Sequence, residues 1–180
     1  MNAHVKTAVA GLKSHAMSEL LVRLAVEADL PAINAIYNHY VPISTTTFAL
    51  TPMTIEQRRQ WFAGREAIHP ATVACRGEAV VGWGSLHTFR AIAGYRQTVE
   101  NSVYVHPDHQ RAGVGAALLA DQIDRARAAR LHAIVAVIGS EQTASLALHA
   151  KFGFREVGRF PQVGRKFDRW LDAVFMQLTL

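Results

Sequence analysis

The chain has 180 residues, 50% of them hydrophobic and 18% charged. That length suits one domain with a sizeable core, and the composition excludes a disordered chain. No apolar run reaches the ~18 residues of a membrane span, and the formal charge of +5 is scattered without a basic run, so neither a membrane nor a nucleic-acid partner is expected.

In chain order, residues 1–19 are expected to stand outside the domain as an N-terminal extension, leaving 20–180 as the domain. Leu20 to Ala25 reads as a first strand. Glu27 to Tyr40 carries Leu30, Ile33, Ile36 and Tyr37 at helical spacing, with Pro31 in the first turn, where proline is tolerated. Ser44 to Phe48 is a polar, β-prone loop or short strand. Thr54 begins a capped helix running to about Gly64. Ala71 to Arg76 and Ala79 to Leu86 form a hairpin about Gly77-Glu78. The single cysteine, Cys75, lies in the first of these apolar strands. It reads as a core thiol, leaves no internal disulfide and fits a cytoplasmic protein.

Arg96 to Val105 is the next strand, stopped by His106-Pro107-Asp108-His109. Gln110-Arg111-Ala112-Gly113-Val114-Gly115 follows, and then a helix over Leu118 to Arg130, introduced by an alanine- and leucine-rich run. Leu131 to Ile138 is a buried strand, and Glu141 to Phe152 a helix ended by Gly153. Phe154 to Phe160 and Asp172 to Leu178 are the last strands, with a polar, aromatic hairpin loop at Gly164 to Trp170. The order predicts one α/β (α+β) domain with a mixed, mostly antiparallel sheet flanked by helices.

The strand–glycine–helix stretch at 101–119 holds the clearest chemistry. The first N–H groups of a helix lack internal partners, and the helix dipole adds positive potential there. Gly113 and Gly115 would let a phosphate approach the backbone closely. From the glycines alone, a tight strand-to-helix turn is the plainer reading. The missing Gly-Lys-Ser/Thr excludes a P-loop, and the glycine spacing does not fit a dinucleotide fingerprint.

Gln110-x-x-Gly113-x-Gly115, after Val103-Tyr104-Val105, resembles the acetyl-CoA loop of the GNAT N-acetyltransferases. Thr98-Val99-Glu100, Ser102 to Val105, Ala144-Ser145-Leu146, Leu148-His149, Gly153-Phe154 and Arg169-Trp170 resemble the phosphinothricin and methionine sulfone (methionine sulfoximine) branch. The resemblance runs from about Val22 to the C-terminus.

It implies a GNAT fold and acetyl transfer from acetyl-CoA to the α-amine of a small amino acid. Glu100 would be the general base, acting through water; the strand's own side-chain alternation suggests a bulge near Asn101 or Ser102. Read from spacing alone, Glu100 is a solvated strand glutamate. Val103, Tyr104 and Val105 would meet the thioester and pantetheine, and Gln110, Arg111, Ala112, Gly113, Val114 and Gly115 the pyrophosphate. Gln142 and Ser145 would border the pantetheine arm, although the family pattern has asparagine where this chain has Gln142. His149 would take the place of the tyrosine that often protonates the leaving thiolate. Arg90 would hold the acceptor carboxylate, with Phe48, Tyr95, Lys166 and Trp170 around the acceptor. A packing aromatic at Phe48, a core histidine at His149 and a packed Trp170 are the structural alternatives.

His106 to His109 lacks a convincing further ligand, so no metal is expected. The branch implies a homodimer. Acetylation of a peptide or another amine, and a non-catalytic acyl-CoA sensor, are the competing functions.

Overall fold

The computed structural model describes residues 19–180. The extension expected at 1–19 therefore lies, all but Glu19, outside the described residues. Within them are seven strands: β1 (Leu20–Leu24), β2 (Ala71–Arg76), β3 (Ala79–Thr88), β4 (Thr98–Val105), β5 (Ala133–Gly139), β6 (Arg155–Lys166) and β7 (Arg169–Thr179). Four α-helices accompany them: α1 (Leu30–Tyr40), α2 (Ile55–Ala63), α3 (Val114–Ala128) and α4 (Thr143–Lys151). The strands form one sheet in the order β1-β2-β3-β4-β5-β7-β6. Only β4 and β5 run parallel.

Helix α1 buries Leu30, Ile33, Ile36 and Tyr40 against Val73, Cys75 and Trp83 of the sheet. Their three- and four-residue spacing makes the apolar stripe visible in the sequence. Helix α2 starts on a reciprocal cap: Gln57 N–H donates to Thr54 Oγ1 (3.2 Å), and Thr54 N–H donates to Gln57 Oε1 (2.8 Å). A second core joins Leu119, Ile123 and Ala126 of α3 to Leu86, Val99, Ile134, Val174 and Met176 of the sheet. Burying each large aliphatic side chain contributes about 1.5–3 kcal/mol.

The sheet divides at β4. Strand β4 keeps continuous register with β3, from Gly82↔Val105 to Thr88↔Val99. The expected bulge at Asn101 or Ser102 is therefore absent on that side. Instead, β4 pairs with β5 only at Thr98↔Ala133, Val99↔Ile134 and Glu100↔Val135. Beyond Glu100 the two strands part, and β4 has no strand partner on its β5 side. A fork opens there.

Two further boundaries differ from expectation. Helix α3 begins at Val114, not Leu118, because its first turn follows directly from the left-handed Gly113 (φ 82°). Strand β6 does not end at Phe160 but runs to Lys166, so the loop expected over Gly164 to Trp170 is two long strands joined at Phe167-Asp168. Pro161 masks this continuity. It sits in a register shift between Phe160 and Gly164 of an edge strand, where a missing donor and an irregular residue are tolerated.

Candidate active site

Two connected cavities meet at the fork. One is a groove of about 420 Å³ between the end of β4, the start of α3 and α4. Of the residues expected to bind the cofactor, Val103, Tyr104, Val105, Gln110, Arg111, Gly113, Val114, Gly115, Gln142 and Ser145 all line it. Ala112 does not; its carbonyl accepts from Arg76 Nη2 at 3.3 Å. The other cavity, about 110 Å³, fills the fork between β4 and β5 and reaches His149. Thr46, Val103, Tyr104, Gln142 and Ser145 line both.

The glycine loop is held by a chain of polar contacts. Gln110 Nε2 donates to Tyr40 Oη at 2.8 Å, and Tyr40 Oη donates to Val105 O at 2.6 Å. Loop, α1 and the end of β4 are thus tied at one point. Gly113 is needed for its positive φ rather than for space, since an added Cβ would meet nothing within 4 Å. At Gly115 an added Cβ would lie 3.2 Å from Leu148 Cδ2 and 3.6 Å from Val105 Cγ2. Both neighbours line the groove, so Gly115 keeps it wide.

Behind the fork lies a buried polar network. Asn101 Nδ2 contacts Gln122 Oε1 (3.2 Å) and His149 Nε2 (3.1 Å), while Gln122 Nε2 donates to Ser102 O at 2.9 Å. His149 Nδ1 lies 2.8 Å from Ser145 O. A carbonyl only accepts, so the proton is assigned to Nδ1, and Nε2 accepts from Asn101. Burial holds the His149 ring below its ordinary pKa, against the opposing hydrogen bond to Ser145. Buried and hydrogen-bonded at both ring nitrogens, His149 is placed as the core-histidine alternative has it. Gln122 was missed in the sequence, yet it is polar and fully buried next to the apolar Leu118, Leu119 and Ile123 stripe of α3, which is a readable signal.

Glu100 stands at the last paired position of β4 before the fork. Directly across from it on β3 is His87, another residue the sequence reading passed over. Tyr104, farther along β4, stacks on Trp83 (centroids 4.9 Å apart, 13° between planes). Burial pushes its phenol well above the usual range.

The residues expected around the acceptor are not gathered in one place. Arg90 and Tyr95 line a third cavity, of about 400 Å³, with His69, Arg96 and Thr98, two residues before Glu100. Phe48 packs in a slot left by glycines, where a Cβ on Gly164 would come within 2.5 Å of its ring. Lys166 is turned inward. Its Nζ donates to Ser44 O (2.7 Å) and Thr47 O (2.6 Å), so it secures the 44–48 loop backbone instead of presenting a free charge. Trp170 is 60% exposed on the hairpin and lines none of these cavities. Gln142 is also engaged: its Oε1 accepts from Thr46 Oγ1 (3.1 Å) and its Nε2 donates to Thr45 Oγ1 (2.8 Å).

Among the described residues, no cluster of three or more His, Cys, Asp or Glu is placed to hold a metal ion, and no helix is long and apolar enough to cross a membrane.

A divided sheet with a groove running from a helix N-terminus into the fork suits an acyltransferase that draws on acyl-CoA, and comparison with known proteins agrees. Residues 33–154 match the model of the acetyltransferase (GNAT) family, to which this chain belongs. An L-methionine sulfoximine/L-methionine sulfone acetyltransferase of Pseudomonas paraeruginosa is 46% identical over 162 residues, covering 88% of this chain and 94% of that one. An L-amino acid N-acyltransferase of Escherichia coli is 44% identical over 160 residues, covering 88% and 93%. A putative acetyltransferase of Salmonella typhimurium, solved with acetyl-CoA, superposes with a TM-score of 0.86 at 41% identity, covering 89% of this chain and 94% of that one.

Proposed function

We propose that this protein transfers the acetyl group of acetyl-CoA to the α-amine of a small amino acid such as methionine sulfone, methionine sulfoximine or phosphinothricin. The observation that carries the proposal is the position of Glu100 at the last β4–β5 pair, three residues before Val103, where β4 begins to line a groove that ends in a helix N-terminus. The relatives' names supply the acceptor class.

In this reading the CoA pyrophosphate lies against the unpaired amides at the start of α3, where the helix dipole favours an anion. Arg111 and Gly113 hold the loop in left-handed backbone conformations immediately before the helix. Pantetheine follows the groove past Ser145, and the thioester reaches the unpartnered side of β4 at Val103 to Val105. Gln142, longer than the family asparagine, spends its amide on Thr45 and Thr46 and so shapes the groove through the loop. Glu100 takes the ammonium proton through a water. The amine then attacks the thioester carbonyl, the C–S bond breaks, the acylated nitrogen gives its second proton to solvent, and the CoA thiolate takes one from solvent. His149 acts as a positioning residue by orienting Asn101. Arg90 offers a fork for the acceptor carboxylate, with Tyr95 beside it; Lys166 and Phe48 act by holding the 44–48 loop. The enzyme is read as a cytoplasmic homodimer, and the exposed Val157, Phe160 and Val163 of the hairpin support an apolar contact between copies.

The test is acetyl-CoA-dependent thiol release with methionine sulfone, phosphinothricin and a peptide amine, for the native chain and Glu100→Gln. Turnover on the free amino acids, reduced about 10²- to 10⁴-fold in the variant, is expected for loss of a general base. Turnover on the peptide alone would keep the chemistry and reject the acceptor class. Tight CoA binding without release from any acceptor would favour a sensor.

A further inference from the structure

Each turnover leaves a proton on the base, and the base must lose it before the next. Glu100 has one partner in ion-pair range among the described residues: His87, whose Nε2 lies 3.4 Å from Glu100 Oε1. The pairing is built into the sheet, because His87 and Glu100 are directly opposed across the antiparallel β3–β4 ladder. Opposed side chains on one face of such a ladder sit in reach of each other. The two differ in access to water. The His87 side chain is 38% exposed, that of Glu100 28%, and an acceptor bound over Glu100 would cover it further.

We propose that His87 is the proton outlet of the base. Resting on the reading of Glu100 as that base, the sequence is as follows. An ammonium proton passes through water to the Glu100 carboxylate. The Glu100 O–H then gives it to His87 Nε2, and the other ring nitrogen releases its proton to solvent. Glu100 returns to the carboxylate, and proton exchange with water returns the neutral His87 ring to the tautomer with Nε2 free, so the relay is proton-neutral over a cycle. The charged and titratable groups around His87 suit the task. Glu100 faces it from β4, and His69, in the segment before β2, lies within electrostatic reach. Glu66 and Arg65 act in turn on His69 with opposite signs. A cation formed on His87 therefore meets a carboxylate on one side and a histidine on the other, and the carboxylate holds it in place.

The experiment compares the native chain with His87→Gly, His87→Gln and Glu100→Gln in steady-state acetylation of methionine sulfone, with acetyl-CoA affinity measured by calorimetry. Both His87 variants are expected to lose about tenfold in kcat, less than the about 10²- to 10⁴-fold expected for loss of the base itself, while acetyl-CoA affinity stays the same. Added imidazole should restore kcat to His87→Gly in proportion to its concentration, and the weakly basic isostere pyrazole should not. A structural role would give a loss that neither molecule repairs. The proposal is overturned if both variants keep kcat within about twofold of native, or if imidazole leaves the loss untouched. A dead Glu100→Gln alongside unaffected His87 variants removes the relay but keeps the base. A fully active Glu100→Gln removes the base and the relay with it.

Discussion

Asn101 Nδ2 sits 3.1 Å from His149 Nε2, so one amide hydrogen fixes the ring that lines the back of the fork. The arrangement requires a neutral imidazole, and burial enforces it by lowering the His149 pKa. The sign of the pH effect follows. In the unfolded chain the histidine titrates at its ordinary pKa of about 6.5. Between that value and the lower folded one, the unfolded state binds more protons, so stability falls as pH drops. The melting temperature should decline from pH ~7 toward pH ~5. His149→Gln should make that decline shallower, with His69, also depressed by burial, supplying part of what remains. Thermal scans across this range check it, and an unchanged slope would reject the neutral-ring assignment.

Gly84 of β3 makes room for the same network from the other side. A Cβ there would lie 2.3 Å from Gln122 Nε2 and 3.0 Å from Ser102 O. Gln122 can swing away, but only by giving up its bond to Ser102 O and its hold on Asn101. Gly84→Ala should cost about 1–3 kcal/mol, the usual range for overpacking. It should also lower kcat more than an equally destabilising substitution remote from the fork. Denaturant unfolding paired with kinetics tests both halves.

At the far edge of the sheet, Asp29 is held by Arg23 through two bonds of 2.7 and 2.8 Å and accepts from Val26 N–H at 2.8 Å. The Arg23 bond is the largest cause of its lowered pKa, with burial opposing. The stabilisation is therefore present above about pH 4 and lost as pH falls through the folded value. Because the Arg23 side chain is 40% exposed, solvent screening reduces its worth, and Asp29→Asn should cost on the order of 1 kcal/mol at neutral pH. The gap between variant and native should close in acid, as read by urea unfolding at pH ~7 and pH ~3.

The groove was legible because its parts are adjacent in sequence. A strand, two glycines and an alanine-rich helix announce it within twenty residues, and only Ala112 of the expected set falls outside. The fork was not legible, since it depends on how far β5 follows β4, and nothing in 98–105 states that register. The sequence reading placed a bulge where the strands in fact separate. His87 and Gln122 escaped for a related reason: each acquires its meaning from a partner 13 or 21 residues away. Lys166 looked like a substrate contact because it lies in a polar, aromatic stretch. Burial among carbonyls of the 44–47 loop, 119 and 122 residues distant, gives it a different task.

The tip of the β6–β7 hairpin carries a conflict between sequence and backbone. Phe167 and Asp168 both have positive φ, 52° and 56°, the conformation of a two-residue turn that prefers Asn-Gly. For an L-residue with a Cβ this conformation costs about 1–2 kcal/mol, less for aspartate. The long ladder on either side, from Lys166↔Arg169 to Arg155↔Gln177, overrides that cost. Replacing the pair by Phe167→Asn and Asp168→Gly removes the strain. It also removes the contact of Lys166 Nζ over the Phe167 ring at 5.1 Å, worth about 0.5 kcal/mol at a partly exposed site, and glycine adds entropy to the unfolded chain. The net gain should be on the order of 1 kcal/mol, seen as a melting temperature about 2–4 °C higher for a domain of this size. Acetylation kinetics should not change, because the tip lines none of the three cavities. A lower melting temperature would mean that the Phe167 ring, not the turn, holds the hairpin together.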